Sequence, residues 1–127
     1  MATFLSEEHM TAATEALNAD AGFQGAMNGV DLGLQFEVTD APTGPLDYYL
    51  AVGDGVAALV LGTLDDADAS VASDYETAAA IAKGELNVQM AFMTGKVKVG
   101  GNMAKVMMYQ GLINEFARVS STLDLDF

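Results

Sequence analysis

Between Val30 and Val38 the chain alternates with a period of two. Val30, Leu32, Leu34, Phe36 and Val38 fall on one side, and Asp31, Gly33, Gln35 and Glu37 on the other. A helix, repeating every 3.6 residues, cannot separate those sets; a strand with one dry and one wet face separates them at every step. The dry face then has to be covered, so this segment dictates a sheet with a second layer stacked on one side and water on the other. Two more strands follow. Asp40-Ala-Pro-Thr-Gly-Pro45 is dense in turn residues and reads as a hairpin loop leading into a strand from Leu46 to Val52, which carries Tyr48 and Tyr49. Asp54-Gly55 is a two-residue hairpin signal, and Val56 to Leu61 is a third strand, apolar throughout.

The covering layer is helical. Ser6 caps a first helix with Glu7 and Glu8 in its first turn, where the helix dipole favours acid, and Met10, Ala13, Ala16 and Leu17 recur at helical spacing. Asn18 to Gly22 ends it, and Phe23 to Gly29 holds a further helical turn. After an acidic loop from Leu64 to Asp68, Ala69 to Ala72 reads as a short fourth strand. Ser73-Asp-Tyr-Glu76 matches a capping box for a helix from about Asp74 to Lys83, stopped by Gly84. Asn87 caps a short helix ending at Gly95, Lys96 to Val99 forms a fifth, lysine-guarded edge strand, and Asn102 caps a last helix. Gly111 weakens that helix by about 1 kcal/mol relative to Ala, which predicts a kink or a close backbone approach there. The order is that of an α+β fold in a single domain over residues 1–127, with a five-stranded, mainly antiparallel sheet and helices on one face.

Composition removes several function classes. There is no Cys, so disulfides, thiolate metal sites and cysteine nucleophiles are excluded. The net charge of −13 repels nucleic acid and anionic bilayers. No apolar run approaches the ~18 residues of a membrane span, and no secretory signal, peroxisomal tail or ER retention tail is visible, so a cytoplasmic location is expected. A monomer or weak dimer fits this surface.

Methionine is concentrated: Met90, Met93, Met103, Met107 and Met108 lie between Gly84 and Met108, five of the eight in the chain. Methionine is flexible and polarizable, so this stretch reads as one wall of an adaptable apolar cavity. The same stretch contains Gly84-Glu-Leu, then Ala91-Phe92-Met93-Thr94-Gly95-Lys96-Val97-Lys98-Val99, then Gly101-Asn102-Met103. That pattern resembles the signature of the sterol carrier protein 2 family, the non-specific lipid transfer proteins. The preceding element order fits as well, so the resemblance covers nearly all of the chain. Phe4-Leu5-Ser6-Glu7-Glu8 and Ala16-Leu17-Asn18-Ala19-Asp20 are similar to the stand-alone actinobacterial branch. The resemblance implies an apolar tunnel between sheet and helices and non-catalytic binding of fatty acid, fatty acyl-CoA, sterol or phospholipid. It does not carry the peroxisomal tripeptide of eukaryotic members or a fused thiolase or dehydrogenase.

The residues placed to line such a tunnel are Leu34 and Phe36 on the first strand, and Met90, Phe92 and Met93 on the short helix. Met103, Val106, Met107, Ile113 and Phe116 face them from the last helix. The same stripes would equally suit a filled core. Tyr49 and Tyr109 either reach a lipid headgroup or sit as boundary tyrosines with wet tips. Lys96, Lys98 and Lys105 either meet a carboxylate or phosphate or guard the sheet edge.

Catalytic chemistry is not written here. His9, the one histidine, reads as a surface residue; with no Cys it cannot build a usual zinc site, and no nucleophile elbow accompanies it. A calcium loop counted from Asp66 places Val71 at the glycine position and Thr77 at the glutamate position, so it fails. Gly95-Lys96 is no P-loop, because Met90 and Val97 stand where glycine and Ser/Thr are required. The reading is a small non-enzymatic lipid carrier with no cofactor and no metal. The alternatives are an interaction module with a closed core whose last helix docks a lipid-metabolising enzyme, and an accessory domain that hands a lipid to a degradative one.

Overall fold

The computed structural model of the chain describes residues 2–41, 44–123 and 125–126. The elements run β1 (Ala2–Thr3), α1 (Glu7–Ala19), α2 (Ala21–Ala26), β2 (Leu32–Val38), β3 (Leu46–Gly53), β4 (Val56–Leu61) and β5 (Ala69–Ser73). They continue with α3 (Tyr75–Ala82), α4 (Val88–Met93), β6 (Val97–Gly101), α5 (Met103–Met108), α6 (Gln110–Ser121) and β7 (Leu125–Asp126). Five strands form an open sheet in the order β4-β3-β2-β5-β6, antiparallel except for the parallel pair β2–β5. The expected α+β arrangement is therefore present. A short parallel pair of β1 and β7, with no counterpart in the sequence reading, brings the two ends of the described chain together. The expected hairpin loop from Asp40 to Pro45 includes positions 42 and 43, which lie outside the described residues.

The period-two pattern sets the register. Leu32, Leu34, Phe36 and Val38 stand opposite Val52, Leu50, Tyr48 and Leu46 of β3, and Phe36 stands opposite Val71 of β5. Continuing across the sheet, Leu61, Tyr48, Phe36, Val71 and Val99 make one cross-strand row on the dry face. Asp54 and Gly55 both have positive φ, 55° and 75°, as a two-residue hairpin needs.

The opposite face is not uniformly wet, as the sequence had suggested. Gln35 is buried. Because β5 pairs with β2 and not with β4, the chain leaving β4 must cross back over β3 and β2, and it does so on this face. The Gln35 side chain holds that return: its Nε2 donates to the carbonyls of Tyr48 (3.0 Å) and Gly62 (3.1 Å), and its Oε1 accepts from Leu64 N–H (2.7 Å). Further along the return, Asp68 Oδ2 accepts from Gly33 N–H (2.8 Å) and Asp68 Oδ1 pairs with Lys105 Nζ (3.0 Å). Asp68, the third position of the calcium loop counted from Asp66, is thus already committed to the fold. Gly101, at φ 95°, passes so close that a Cβ there would lie 2.7 Å from the Asp68 carbonyl oxygen.

Helix starts follow local chemistry. Ser6 Oγ accepts from His9 N–H at 3.2 Å and Asn102 Oδ1 from Lys105 N–H at 3.1 Å. The cap of α3 is Asp74, which accepts from Thr77 N–H at 2.7 Å, and not Ser73, because Ser73 is still in strand pairing with β6. The last helix is not one kinked helix. It breaks at Tyr109 (φ −104°, ψ 27°) into α5 and α6, two residues before Gly111, and a Cβ at Gly111 would meet nothing within 4 Å. The break, and not a close approach at the glycine, redirects the chain.

The helical layer is fastened at its rim. β4 is an edge strand, and α1 lies along it: Asn18 Nδ2 donates to Ala57 O (2.8 Å) and its Oδ1 accepts from Ala57 N–H (2.9 Å). Thr14 Oγ1 repeats the pattern on Leu59, at 3.3 Å to the carbonyl and 2.9 Å from the N–H. Two helix side chains so occupy the backbone groups that another strand would otherwise seek. On the far side, Arg118 of α6 pairs with Asp20 (2.6 Å), the cap of α2. Replacing Asn18 by Leu leaves both Ala57 groups without these partners. The expected loss is roughly 1–3 kcal/mol of unfolding free energy, read as a lowered urea midpoint; an unchanged midpoint would show that α1 does not hold the edge.

A cavity between the sheet and helices as the candidate functional site

The solid core and the site occupy different parts of the same interlayer. Leu17 of α1, Phe23 of α2 and Met27, the C-cap of α2, fill the space over Leu32, Leu34 and Leu50, all nearly inaccessible. Under α3, α5 and α6 the filling stops, and a cavity of about 430 Å³ remains, within the roughly 300–1,000 Å³ usual for small-molecule sites. Its floor is the dry face of the sheet, from Leu59 through Tyr48, Leu34, Phe36, Val71 and Ser73 to Val97 and Val99. Its roof is Ala78, Ile81 and Ala82 of α3, together with Met103, Val106, Gln110, Ile113, Phe116 and Ala117. Phe36 is the aromatic centre: its ring stacks on Tyr48 (4.9 Å between centroids, 10° between planes) and meets Phe116 at 5.8 Å.

Nine of the ten residues expected in such a tunnel are brought together in this lining: Leu34, Phe36, Phe92, Met93, Met103, Val106, Met107, Ile113 and Phe116. Met90 is not among them; it lies on α4, exposed. Met93 and Met107 line the cavity and yet are 79% and 70% accessible, which places them, with Phe92, at its open side. Met108 adds a further exposed thioether on α5. Among the described residues, the lining contains no Asp, Glu, Lys or Arg.

For the tyrosines and lysines the sequence leaves two readings open, and the structure places them as follows. Tyr48, not Tyr49, faces the cavity; Tyr49 stands opposite Gln35 on the other face of the sheet. Burial holds the Tyr48 hydroxyl above its ordinary pKa, so it stays protonated. Parity along β3 carried this information, since Leu46, Tyr48, Leu50 and Val52 are the alternating apolar set. Tyr109 sits at the helix break and packs against the core. Lys105 is engaged by Asp68, whereas Lys98 is exposed on the edge strand β6.

His9 is the clearest correction. The sequence places it on the surface, but it is buried and lines the cavity beside Phe4, with ring centroids 5.3 Å apart. The signal was present: His9, Ala13 and Leu17 recur at intervals of four and form the buried face of α1. Its Nδ1 accepts from Leu5 N–H at 2.9 Å. Burial lowers the imidazole pKa from 6.5 to about 4, so the ring is neutral at pH 7. With Nδ1 accepting, the ring proton resides on Nε2. A lining of this kind suits apolar matter by shape and desolvation.

Comparison with known proteins gives a consistent result. The model of the SCP-2 sterol transfer family matches residues 13–114. A crystal structure of sterol carrier protein 2 is similar at a TM-score of 0.82 and 21% sequence identity, covering 95% of this chain and 99% of that one. The solution structure of a conserved hypothetical protein from Thermus thermophilus is similar at 0.77 and 21% identity, covering 95% and 90%. Palmitated SCP2L2 from Aedes aegypti is similar at 0.62 and 18% identity, covering 84% and 91%. At these identities the likeness to the solved structures is one of fold. No curated protein sequence matches the chain.

The buried imidazole makes stability depend on pH in a definite direction. The unfolded chain takes up the His9 proton near pH 6.5 and the folded chain only near 4, so stability is full above 6.5 and falls as pH drops between those values. Asp20, Asp68 and Asp74 have pKa values held below the ordinary carboxylate value, chiefly by hydrogen bonds from Arg118, Gly33 and Thr77, and their contributions are lost only at lower pH. Between pH 7 and 5 the wild type should therefore lose roughly 1–2 kcal/mol that a His9→Phe variant does not lose, measured by urea unfolding. Parallel profiles for the two proteins would contradict a buried neutral His9.

Proposed function

Because the chain belongs to the SCP-2 sterol transfer family, we propose that it binds and carries an apolar lipid, a fatty acid, fatty acyl-CoA or sterol-like molecule, in the cavity between its sheet and helices. The observation that carries this reading is the cavity itself: an apolar lining, a volume of about 430 Å³, and an open side bordered by Phe92, Met93 and Met107. Moving a methylene group out of water is worth about 0.8 kcal/mol, so a dozen offer roughly 10 kcal/mol before ordering costs. That is the scale of micromolar or tighter binding without any ionic contact. The methionines at the rim accommodate chains of differing outline. Carriage fits a location in the cytoplasm, and no step of it calls for catalysis.

Entry and exit are proposed to run past α5. That helix has six residues and is joined to α6 through the non-helical Tyr109. Its first turn is tethered by Asn102 and by the Lys105–Asp68 pair, whose side chains are partly accessible. A helix of this length is not stable alone, so its position depends on those tethers and on what lies beneath it.

Native mass spectrometry of the purified protein, followed by organic extraction, should find co-purifying lipid. Displacement of a fluorescent fatty acid should give a micromolar or lower Kd. Ala117→Trp, which places an indole in the cavity under α6, should weaken that binding at least tenfold with the sheet still folded by circular dichroism. Full affinity in this variant would remove the cavity from the site. A protein that holds no lipid and displaces none would instead favour docking of a lipid-metabolising enzyme on the exposed face of α4 and α5. Gly111→Ala should strengthen α6 by about 0.5–1 kcal/mol. Slower release of the fluorescent ligand would place α6 in the gate, and an unchanged rate would confine the gate to α5.

A further inference from the structure

The cavity is not uniformly oily: Ser73, Gln110, Asn114 and Ser120 line it, and so does His9. His9 is 4% exposed and lines the cavity, with Phe4 against it and Tyr75 beyond Phe4 at 5.8 Å. Its Nδ1 is fully used by Leu5 N–H. Its Nε2 has no hydrogen-bond partner among the described residues. Yet no buried side-chain nitrogen or oxygen there is both sealed off and unpartnered. Nε2 therefore opens on to space, and the space that His9 lines is the cavity.

The ring is also held in place at a cost. Leu5 has φ 66°, a left-handed conformation that a branched residue rarely adopts. In that conformation its N–H meets His9 Nδ1, fixing both the ring's orientation and its tautomer. The same residue sits in the turn closed by Ser6 N–H donating to the Thr3 carbonyl at 3.1 Å, so its conformation serves both the turn and the orientation of the ring. A Phe or Leu at position 9 would fill the same face of α1 and would not leave a buried donor open.

We propose that His9 is the polar anchor of the cavity, donating its Nε2–H to a neutral oxygen on the buried end of the bound lipid: a hydroxyl or a ketone or ester carbonyl. This deepens the lipid-carrier reading and rests on it. The choice of a neutral oxygen follows from what surrounds the ring. No cationic side chain lines the cavity among the described residues, and the imidazole is uncharged, so an ionised carboxylate at that depth would be desolvated without a counter-charge. A neutral acceptor loses much less on leaving water and satisfies a donor that otherwise has no partner. A fatty acid would accordingly enter with its tail towards His9 and its carboxylate at the open side. A lipid alcohol or ketone would enter oxygen first.

The test uses the wild-type protein with nitrogen-15 in its single histidine. It is titrated with dodecanol, a methyl ketone of the same length, dodecanoate and dodecane. Displacement of a fluorescent fatty acid reports whether each enters the cavity, and the Nε2 resonance reports contact with the ring. The alcohol and the ketone should shift Nε2, and dodecanoate and dodecane should not; a shift with only one of the first two assigns hydroxyl or carbonyl. His9→Phe should weaken alcohol and ketone roughly three- to tenfold and leave dodecane within about twofold. If all four ligands bind and none moves Nε2, the anchor is wrong and the carrier stands. A shift with dodecanoate but not with the alcohol or ketone overturns the neutral-oxygen assignment. If none binds, the carrier reading fails and the anchor with it. Should His9→Phe not fold, the wild-type resonances decide.

Discussion

The helical layer of this protein is held at its margins by directional polar contacts, some to the edge of the sheet and one between helices. Thr14 and Asn18 stitch α1 to the open backbone of β4, Arg118 ties α6 to the cap of α2, and Asp68 binds the start of β2 to α5 through Lys105. Each is a directional polar contact that fixes distance. A roof held only by apolar contact would settle until its side chains met the sheet, because interiors close to crystal-like density. Pinning at the rim, with a packed core beneath α1 and α2, lets the region beneath α3, α5 and α6 remain unfilled. The cavity follows from how the layer is anchored as much as from which residues face it.

The crossover after β4 serves the same arrangement. A meander of neighbouring strands would have put β5 beside β4 and shifted the helices that follow. Instead the chain returns across the outer face, pinned by Gln35, and delivers β5 and β6 to the other side of β2. That places α3, α4 and α5 over the half of the sheet not occupied by α1 and α2. Gln35 thus has an architectural part that its place in an alternating strand gives no hint of. A polar residue on an outward-facing position looks solvated until one knows that a loop will cover it.

Local order was readable wherever one residue's chemistry decides it. The β2 alternation, the Asp54-Gly55 turn, and the Ser6 and Asn102 caps each rest on a period or a single side chain, and each is where the pattern places it. The failures involve partners distant in sequence. Ser73 could serve as a cap or as the end of a strand, and pairing with Val97 decided for the strand. The helix break came at Tyr109 although Gly111 is the weaker helix former, since intrinsic propensity only biases what tertiary contacts settle. Most of the cavity lining could be listed from helical and strand periodicity, because the cavity replaces a core and inherits its spacing. Tyr48 and His9 have the right spacing too, but their residue types point outward: a histidine between Glu8 and Met10 looks like surface.

The open side of the cavity has a chemical character of its own. Met90, Met93, Met107 and Met108 present their thioethers to solvent on α4 and α5, whereas Met10 and Met27 are sealed in the core. Peroxide reaches an exposed thioether first and turns it into a polar, chiral sulfoxide, which a reductase can reverse. Among the described residues the methionines most open to oxidation thus lie on α4 and α5, and two of them, Met93 and Met107, border the doorway. Oxidative damage would begin by wetting the threshold, long before it disturbed the sheet.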